Sequence, residues 1–483
     1  MLICLFFIVR TEHDIRLKEM LMHIKKIGYV SIAIFAAALC LTLLIGYRPI
    51  PTMVPDMALQ PPVQLDGAHG PLTAKQSKAI LARLKSNGAD TNIFARHLAL
   101  EAEIAGSPLV VGNKVELLVD GPTTYKSMFA AIKKAKNHVN METYIIEDDE
   151  IGRRFAELLI RKQRSGVQVN LIYDSVGALN TPKDFFKPLQ ESGVNVLEFN
   201  PINPLNSRKD WQVNRRDHRK LLIVDGQVAF VGGINISSVY SSGSFGKAKP
   251  TKDNPQWRDT HLRMAGPVVS EFQKLFMETW SQQKGGPLAP RNYFPAPANK
   301  GNEVVRAIGS SPEEPYSQIY ATLLSAISSA ETHVFLTNAY FVPDPQLLAE
   351  LKEAVQRGVD VRLLLPEKID SVLVYFASRS YYDELLSAGV KIYERQDALL
   401  HSKTALIDGV WSTVGSTNLD WRSFVNNQEI NAVVLGQDFG AQMQALFEKD
   451  LKSSKLVTRE AWRKRSIGAR IKERAARLWA RWL

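Results

Sequence analysis

The chain carries two cysteines in 483 residues, Cys4 and Cys40, both inside apolar stretches near its start. The rest of the chain therefore has no disulfide framework, no thiol nucleophile and no cysteine-based zinc site. A phosphate-binding loop and a dinucleotide fingerprint are also missing, since the nearest string, "GSFGKAK", lacks the required spacing. Net charge is scarce in the middle of the chain. Of the total of +11, residues 462–483 carry +7 and residues 1–48 carry +3, leaving about +1 for the 413 positions between them. A dedicated nucleic-acid binder carries its positive charge on the folded domain. Basic ends suit an anionic membrane surface instead, so a membrane is the expected partner and nucleic acid is not. With 45% apolar residues a large core is available, and the length suits two or three domains.

Long apolar runs are few. Residues 27–47, "IGYVSIAIFAAALCLTLLIGY", form 21 positions without charge, about the length that crosses a bilayer. Lys25 and Lys26 precede the run and only Arg48 follows closely. The charge bias predicts a single-pass N-terminal anchor in the cell membrane, with the body on the extracytoplasmic face. A cleaved signal peptide is the alternative reading, with Met20 or Met22 as an alternative start. The earlier stretch "MLICLFFIV" is too short to span.

Residues 48–72 hold six prolines and two glycines and read as a linker, followed by helical periodicity over 75–105. The chain then repeats itself. "MFAAIKKAKNHVNMETYII" matches "LLSAISSAETHVFLTNAYFV", "FAELLIRKQRSGVQVNLIYD" matches "LAELKEAVQRGVDVRLLLPE", and "LQESGVNVLEF" matches "LLSAGVKIYER". Each pair reads as helix and strand, so the fold class is α/β with a duplicated domain. The expected boundaries are a membrane segment over 1–48, a linker and helical segment over 49–106, domains over 107–286 and 287–456, and a basic amphipathic tail helix over 457–483.

Both halves end in the same sparse polar pattern. "HRKLLIVDG" sets His218, Lys220 and Asp225; "HSKTALIDG" sets His401, Lys403 and Asp408. Gly232 and Asn235 follow the first histidine at the offsets at which Gly415 and Asn418 follow the second. One such triplet arises by chance in roughly a few per cent of chains with ordinary composition. Two, each with a spaced glycine and asparagine in a duplicated domain, do not. Side chains alternate on a strand, so each histidine shares a face with its lysine. Asp225-Gly226 and Asp408-Gly409 are hairpin signals, which makes both aspartates turn formers at least as readily as catalytic groups.

Two lysines disfavour a metal cation, and no metal is expected here. Lysine ammonium groups and asparagine amides suit phosphate oxygens. One neutral histidine can attack phosphorus while a second, protonated one delivers a proton to the leaving oxygen. This pattern resembles the phospholipase D superfamily, whose double H-x-K-x4-D signature is matched at both sites. "NRRDHRK" and "HSKTALIDGVWSTVGSTNLDWRSFVNNQE" are similar to bacterial cardiolipin synthases within it. The resemblance spans roughly residues 115–456. It implies two tandem phospholipase D-like α/β/α sandwich domains forming a pseudo-dimer behind an N-terminal transmembrane helix. It also implies a two-step reaction through a phosphohistidine, without metal or other cofactor, with no obligate protein partner evident. His218 is the expected nucleophile and His401 the acid and then base. Lys220, Lys403, Asn235 and Asn418 would bind the phosphoryl oxygens. An acid is expected behind each histidine: Glu429 in "NNQE" at the second site, and Asp259 in "WRDTH" at the first.

Around these lie weaker signals. Arg215 and Arg216 could hold an anionic head group, along with Arg208, Lys209 and Arg219, or could form a solvated edge. Asp217 should face away from the site. The residues 237–256 form an extra loop, either a cover for the site or a surface segment. "SVLVYFASRSYY" reads as core packing before an acyl-chain surface. In the tail, Ile467, Ile471, Ala475, Leu478 and Trp482 recur at helical spacing among arginines, the pattern of an interfacial anchor; a helix packed on the body is the alternative. Together these predict a phosphatidyltransferase that moves a phosphatidyl group from one phosphatidylglycerol to another. The rivals are a phospholipase D, a phosphodiesterase or nuclease of the same superfamily, and a non-enzymatic lipid-binding membrane protein.

Overall fold

The apolar runs that follow each motif, "LLIV" and "TALI", leave no alternation for a solvated face, and such strands belong inside a covered sheet. The computed structural model describes residues 63–86, 92–202, 212, 214–241 and 257–483, and it buries Leu221 to Val224 and Ala405 to Ile407. The first half comprises β1 (Leu109–Leu118), α1 (Gly121–Lys134), β2 (His138–Thr143), α2 (Glu150–Arg164), β3 (Gln168–Asp174), β4 (Asn195–Phe199), β5 (Lys220–Val224), β6 (Val228–Gly232), β7 (His261–Ala265) and α3 (Val269–Gln282). The second comprises β8 (Glu303–Ser310), α4 (Gln318–Ser329), β9 (His333–Asn338), α5 (Pro345–Gln356), β10 (Asp360–Pro366), α6 (Val372–Arg379), β11 (Lys391–Arg395), β12 (Lys403–Ile407), β13 (Trp411–Gly415), β14 (Asn427–Leu435) and α7 (Gln437–Lys452). A tail helix, α8 (Ile467–Arg477), follows.

Strand pairing is the same in both halves. The first sheet runs β4–β3–β2–β5–β6–β7–β1, parallel over its first three strands and antiparallel beyond. The second runs β11–β10–β9–β12–β13–β14–β8 with the same senses. Strands β1 and β8 pair antiparallel and join the two sheets. The helices start where their sequences dictate: Asp149 accepts from the Gly152 N–H at 2.9 Å to cap α2, and Asp344 caps α5 ahead of Pro345. Helix α2 then buries Ile151, Phe155, Leu158 and Leu159 on one stripe.

Alternate side chains on β5 serve two cores. Leu222 and Val224 pack with Phe155 and Leu159 of α2. Leu221 and Ile223 enter a core that also holds Leu406, Val414, Ile430 and Ala432 of the second half. Each such side chain is worth about 1.5–3 kcal/mol on burial, so the halves share an apolar seam. Both hairpins turn on Asp-Gly with positive φ at each central residue, 54° and 63° at Asp225-Gly226 and 50° and 67° at Asp408-Gly409. That is the type I′ geometry, whose twist matches the flanking strands.

Two expectations change. The end of the linker is structured: Leu65–Gly67 forms a short strand whose Leu65 pairs with Leu109 of β1. The tail is not one helix but a strand (Ser454–Val457) on β11, a short helix (Arg459–Arg463), α8 and a final turn (Ala480–Trp482). The apolar run 27–47, Arg208, Lys209 and residues 242–256 of the extra loop lie outside the described residues. Among the described residues no helix is long and apolar enough to cross a membrane.

Candidate active site

Two short parallel bridges between the halves build the site. Arg216 and Asp217 pair with Asn427 and Gln428 at the start of β14. Trp257 and Arg258 pair with Leu399 and Leu400 just before the second motif. Continuing each register by one step sets His218 beside Glu429 and His401 beside Asp259. The backbone agrees: the His218 N–H donates to Gln428 O at 2.9 Å, and the His401 N–H donates to Arg258 O at 2.8 Å.

The side chains complete these pairs. His218 Nδ1 lies 3.0 Å from both carboxylate oxygens of Glu429, and His401 Nδ1 lies 2.7 Å from Asp259 Oδ2. This corrects the expected assignment, in which each acid served the histidine of its own half. The acids are exchanged because the histidine strands bridge to the opposite half. With each Nδ1 held by a carboxylate, Nε2 is the nitrogen left for chemistry, and both histidines line one cavity of about 440 Å³.

Burial sets the electrostatics. Glu429 is fully buried, which raises its carboxyl to about 7 against the opposing pull of Lys220. Asp259 is equally buried, and burial alone would raise it, but the hydrogen bond and charge of His401 prevail and its carboxyl is lowered. The His218 imidazole is pushed well below its ordinary range by burial, then by Lys220 and Lys403. For His401, burial and Lys403 lower the value while Asp259 pulls it back up. Both lysines are lowered, chiefly by burial, to about 7 for Lys220 and about 8 for Lys403. An anion entering the cavity would favour the protonated form of all four bases.

Each lysine donates to the backbone carbonyl of its own motif histidine, Lys220 Nζ to His218 O at 2.7 Å and Lys403 Nζ to His401 O. An ammonium group has three donors, so two remain on each. Asn235 and Asn418 line the cavity. Asn235 accepts from the Ile145 N–H at 3.2 Å and donates to the Tyr240 hydroxyl at 3.0 Å, while the buried Asn418 Oδ1 has no partner among the described residues. Only glycine fits at the two repeated offsets of the motif: a Cβ on Gly232 would come within 2.5 Å of Thr260 O, and one on Gly415 within 2.4 Å of Ile430 O.

Other candidates fall elsewhere. Asp225 accepts from the N–H groups of Lys136, Asn137 and His138, and Asp408 from those of Glu331, Thr332 and His333. Both sit at the hairpin end of their strands, opposite the histidines, and cap the start of β2 and β9. Their expected catalytic role is thereby corrected to a turn role. Arg215 pairs with Glu313 at 3.6 Å and is not in the cavity wall. Arg216 does line the cavity, with its guanidinium engaged by Asp174 at 3.5 Å and by Ser175 Oγ at 2.8 Å. Arg219 is a buried strap that donates to Glu429 O at 3.1 Å and Thr279 Oγ1 at 2.9 Å. Asp217 faces away, and its carboxyl is raised by burial and by Glu142.

Several wall residues carry no motif. The Tyr144 ring stands edge-on to His218 at 5.0 Å and beneath Lys220 Nζ at 5.1 Å. The Tyr240 hydroxyl is 3.2 Å from His401 Nδ1, and Trp257 packs at 5.2 Å from the same ring. Tyr340 and Arg422 complete this wall. Tyr144 and Tyr340 lie just past the ends of β2 and β9, corresponding strands of the repeat, and that symmetry was their one visible signal.

The tail packs on the body. Trp462 is buried against Tyr382 at 4.8 Å, Arg477 donates to Ser380 O at 3.3 Å, and Trp482 reaches the cavity wall. Trp482 therefore does not share the exposed stripe expected of it. The aliphatic residues do: Ile467, Ile471 and Leu478 are 75%, 62% and 82% exposed. In the neighbouring aromatic segment Tyr381 and Tyr382 are core residues, while Val372 and Leu373 are exposed.

Residues 128–243 and 323–451 match a family described as "Cardiolipin synthase, PLD-like domain". A cardiolipin synthase of Geobacillus kaustophilus is 36% identical over 384 residues, 79% of this chain and 74% of that protein. Cardiolipin synthase 2 of Bacillus cereus is 36% identical over 369 residues, 76% of this chain and 70% of that protein. Among solved structures, a phosphatidylserine synthase of Haemophilus influenzae superposes with a TM-score of 0.58 at 13% identity, covering 79% of this chain and 99% of that one. That likeness is one of fold.

Proposed function

We propose, from the premise that the chain belongs to the cardiolipin synthase family of phospholipase D-like proteins, that it joins two phosphatidylglycerols into cardiolipin and glycerol. The observation that carries this reading is the pair of carboxylate-held histidines from opposite halves, opening on one cavity. His218 Nε2 attacks the phosphorus of the first lipid. The bond from phosphorus to the glycerol oxygen breaks, and His401 gives that oxygen a proton. Neutral His218 suits attack. His401, beside the ionised Asp259, is the better proton carrier once phosphate offsets Lys403. Lys220, Lys403, Asn235 and Asn418 hold the phosphoryl oxygens as charge builds.

With phosphatidylglycerol vesicles as the sole lipid, the expected products are cardiolipin and free glycerol in equal amounts. Excess glycerol should reverse the reaction, because one phosphodiester replaces another at little net energy. Phosphatidic acid as the main product, with no cardiolipin at any lipid composition, would make the protein a phospholipase D.

A membrane face is the second part of the proposal. Ile467, Ile471 and Leu478 of the tail and Val372 and Leu373 of α6 are exposed aliphatic residues. Helix α8 packs on α6 through Lys472 over the Phe376 ring at 5.5 Å, and Val374 of α6 and Asp370 just before it line the cavity. Arg463, Lys464, Arg470, Arg474 and Arg481 are exposed around them. Aliphatic residues ringed by arginines suit an anionic bilayer. Such docking would set the cavity mouth at the lipid surface and keep water from the phosphohistidine. Each inserted aliphatic side chain is worth about 1.5–3 kcal/mol. The triple variant Ile467→Glu, Ile471→Glu, Leu478→Glu should therefore lose at least about tenfold in turnover on anionic vesicles. On a soluble short-chain substrate it should stay near the parent. Equal loss on both substrates would assign these residues to folding instead.

A further inference from the structure

The proposed reaction brings a second anion into the cavity. In cardiolipin one three-carbon glycerol joins two phosphodiesters. When the acceptor's free hydroxyl reaches the transferred phosphorus, the acceptor's own phosphate is therefore one glycerol away and still charged. A buried or half-buried anion needs a cationic or hydrogen-bonding partner. Lys220 and Lys403 flank the histidines and serve the phosphorus under attack. Arg216 is held by Asp174, Ser175 and the Asn200 carbonyl. Arg219 is strapped to Glu429 O and Thr279, and Arg258 pairs with Asp450 at 2.9 Å.

Among the described residues one cation in the wall makes no side-chain hydrogen bond or ion pair. Arg422 lines the cavity from the short helix Trp421–Val425 and is half-buried. Its backbone N–H donates to Leu483 O at 2.8 Å, and its guanidinium has no hydrogen bond or ion pair among the described residues. Two carboxylates of the same wall are occupied. Asp420 accepts from the Ser423 N–H at 2.8 Å, and Asp370 accepts from the Tyr340 hydroxyl at 2.5 Å. Arg422 is near enough to act electrostatically on Asp420 as well as on His218 and Arg216, and it lines the same cavity as His218, where the phosphatidyl group would be carried.

We infer that Arg422 binds the intact phosphodiester of the acceptor lipid, so that the site selects an anionic, hydroxyl-bearing lipid as the second substrate. This rests on reading the cavity as the transfer site. In the second step the acceptor hydroxyl oxygen bonds to phosphorus and the bond from phosphorus to His218 Nε2 breaks. That electron pair returns to the imidazole, and the hydroxyl proton passes to His401 Nε2. A guanidinium donates two parallel hydrogen bonds to a phosphate, which fixes the acceptor's glycerol as well as its charge.

The test compares two acceptors with one donor in the full chain. Phosphatidylglycerol micelles with labelled glycerol report exchange, in which the acceptor is neutral. The same micelles report cardiolipin formation, in which the acceptor is anionic. In Arg422→Gln the ratio of cardiolipin formation to exchange should fall at least about tenfold, as the loss of a charge-assisted pair predicts, with the KM for the acceptor raised. Arg422→Lys should recover part of that ratio. Because the guanidinium has no structural partner among the described residues, thermal melting should match the parent. An unchanged ratio in Arg422→Gln, whether or not both rates fall, would overturn the inference. If the parent performs exchange but no cardiolipin formation, the acceptor role is overturned and the transfer site stands. If it performs neither, the reading of the cavity fails first.

Discussion

His218→Ala and His401→Ala are each expected to cut cardiolipin formation by at least about four orders of magnitude, the scale on which groups that act as one unit fail. Among the described residues, each ring is the only one in its half with Nδ1 held by a carboxylate and a place in the cavity wall. Neither can take over the other's work, so the double variant should be no slower than either single one. The two losses differ in kind. A donor lipid with p-nitrophenol as its head group leaves without needing a proton. It should restore a burst of p-nitrophenolate in His401→Ala, which lacks the acid, and none in His218→Ala, which lacks the nucleophile. A burst in His218→Ala alone would exchange the two roles. Mass spectrometry of the quenched burst should find phosphate on His218.

The parts of this site that sequence shows and hides differ for a physical reason. Local pattern carried the two strands: "HRKLLIVDG" and "HSKTALIDG" declare a polar mouth, an apolar interior and an Asp-Gly turn within nine residues. The same locality misled at Asp225 and Asp408, which stand in the repeated motif because they cap the backbone of residues 136–138 and 331–333. A shared offset within a repeat marks a repeated structural need as readily as a repeated chemical one. The exchange of Glu429 and Asp259 was hidden because it depends on two bridges of two residues each, between strands far apart in the chain. Such pairings leave no periodicity. Period did reveal the aliphatic stripe of α8, but not that Trp462 and Trp482 turn inward while Ile467, Ile471 and Leu478 stay out.

That exchange gives the second large effect. Glu429→Gln and Asp259→Asn should each lower turnover by about two to four orders of magnitude, the range seen when a histidine loses the carboxylate that sets its tautomer. A neutral His218 that donates Nδ1–H to Glu429 keeps its lone pair on Nε2. Once Nε2 carries phosphate the ring is cationic, and the carboxylate then also offsets that charge. The amide introduced by Glu429→Gln has one acceptor oxygen where Ser416 Oγ and Asn427 Nδ2 donate to two, and its NH2 group can neither accept from Nδ1–H nor offset the charge. The variants should therefore sort by the histidine each acid touches, not by the half that carries it. With the p-nitrophenyl donor, Glu429→Gln should behave like His218→Ala and show no restored burst, although its carboxylate belongs to the second half. Asp259→Asn should behave like His401→Ala and recover the burst, because only proton delivery is impaired. The opposite sorting would mean that each acid serves its own half and that the two interhalf bridges do not form in the working enzyme.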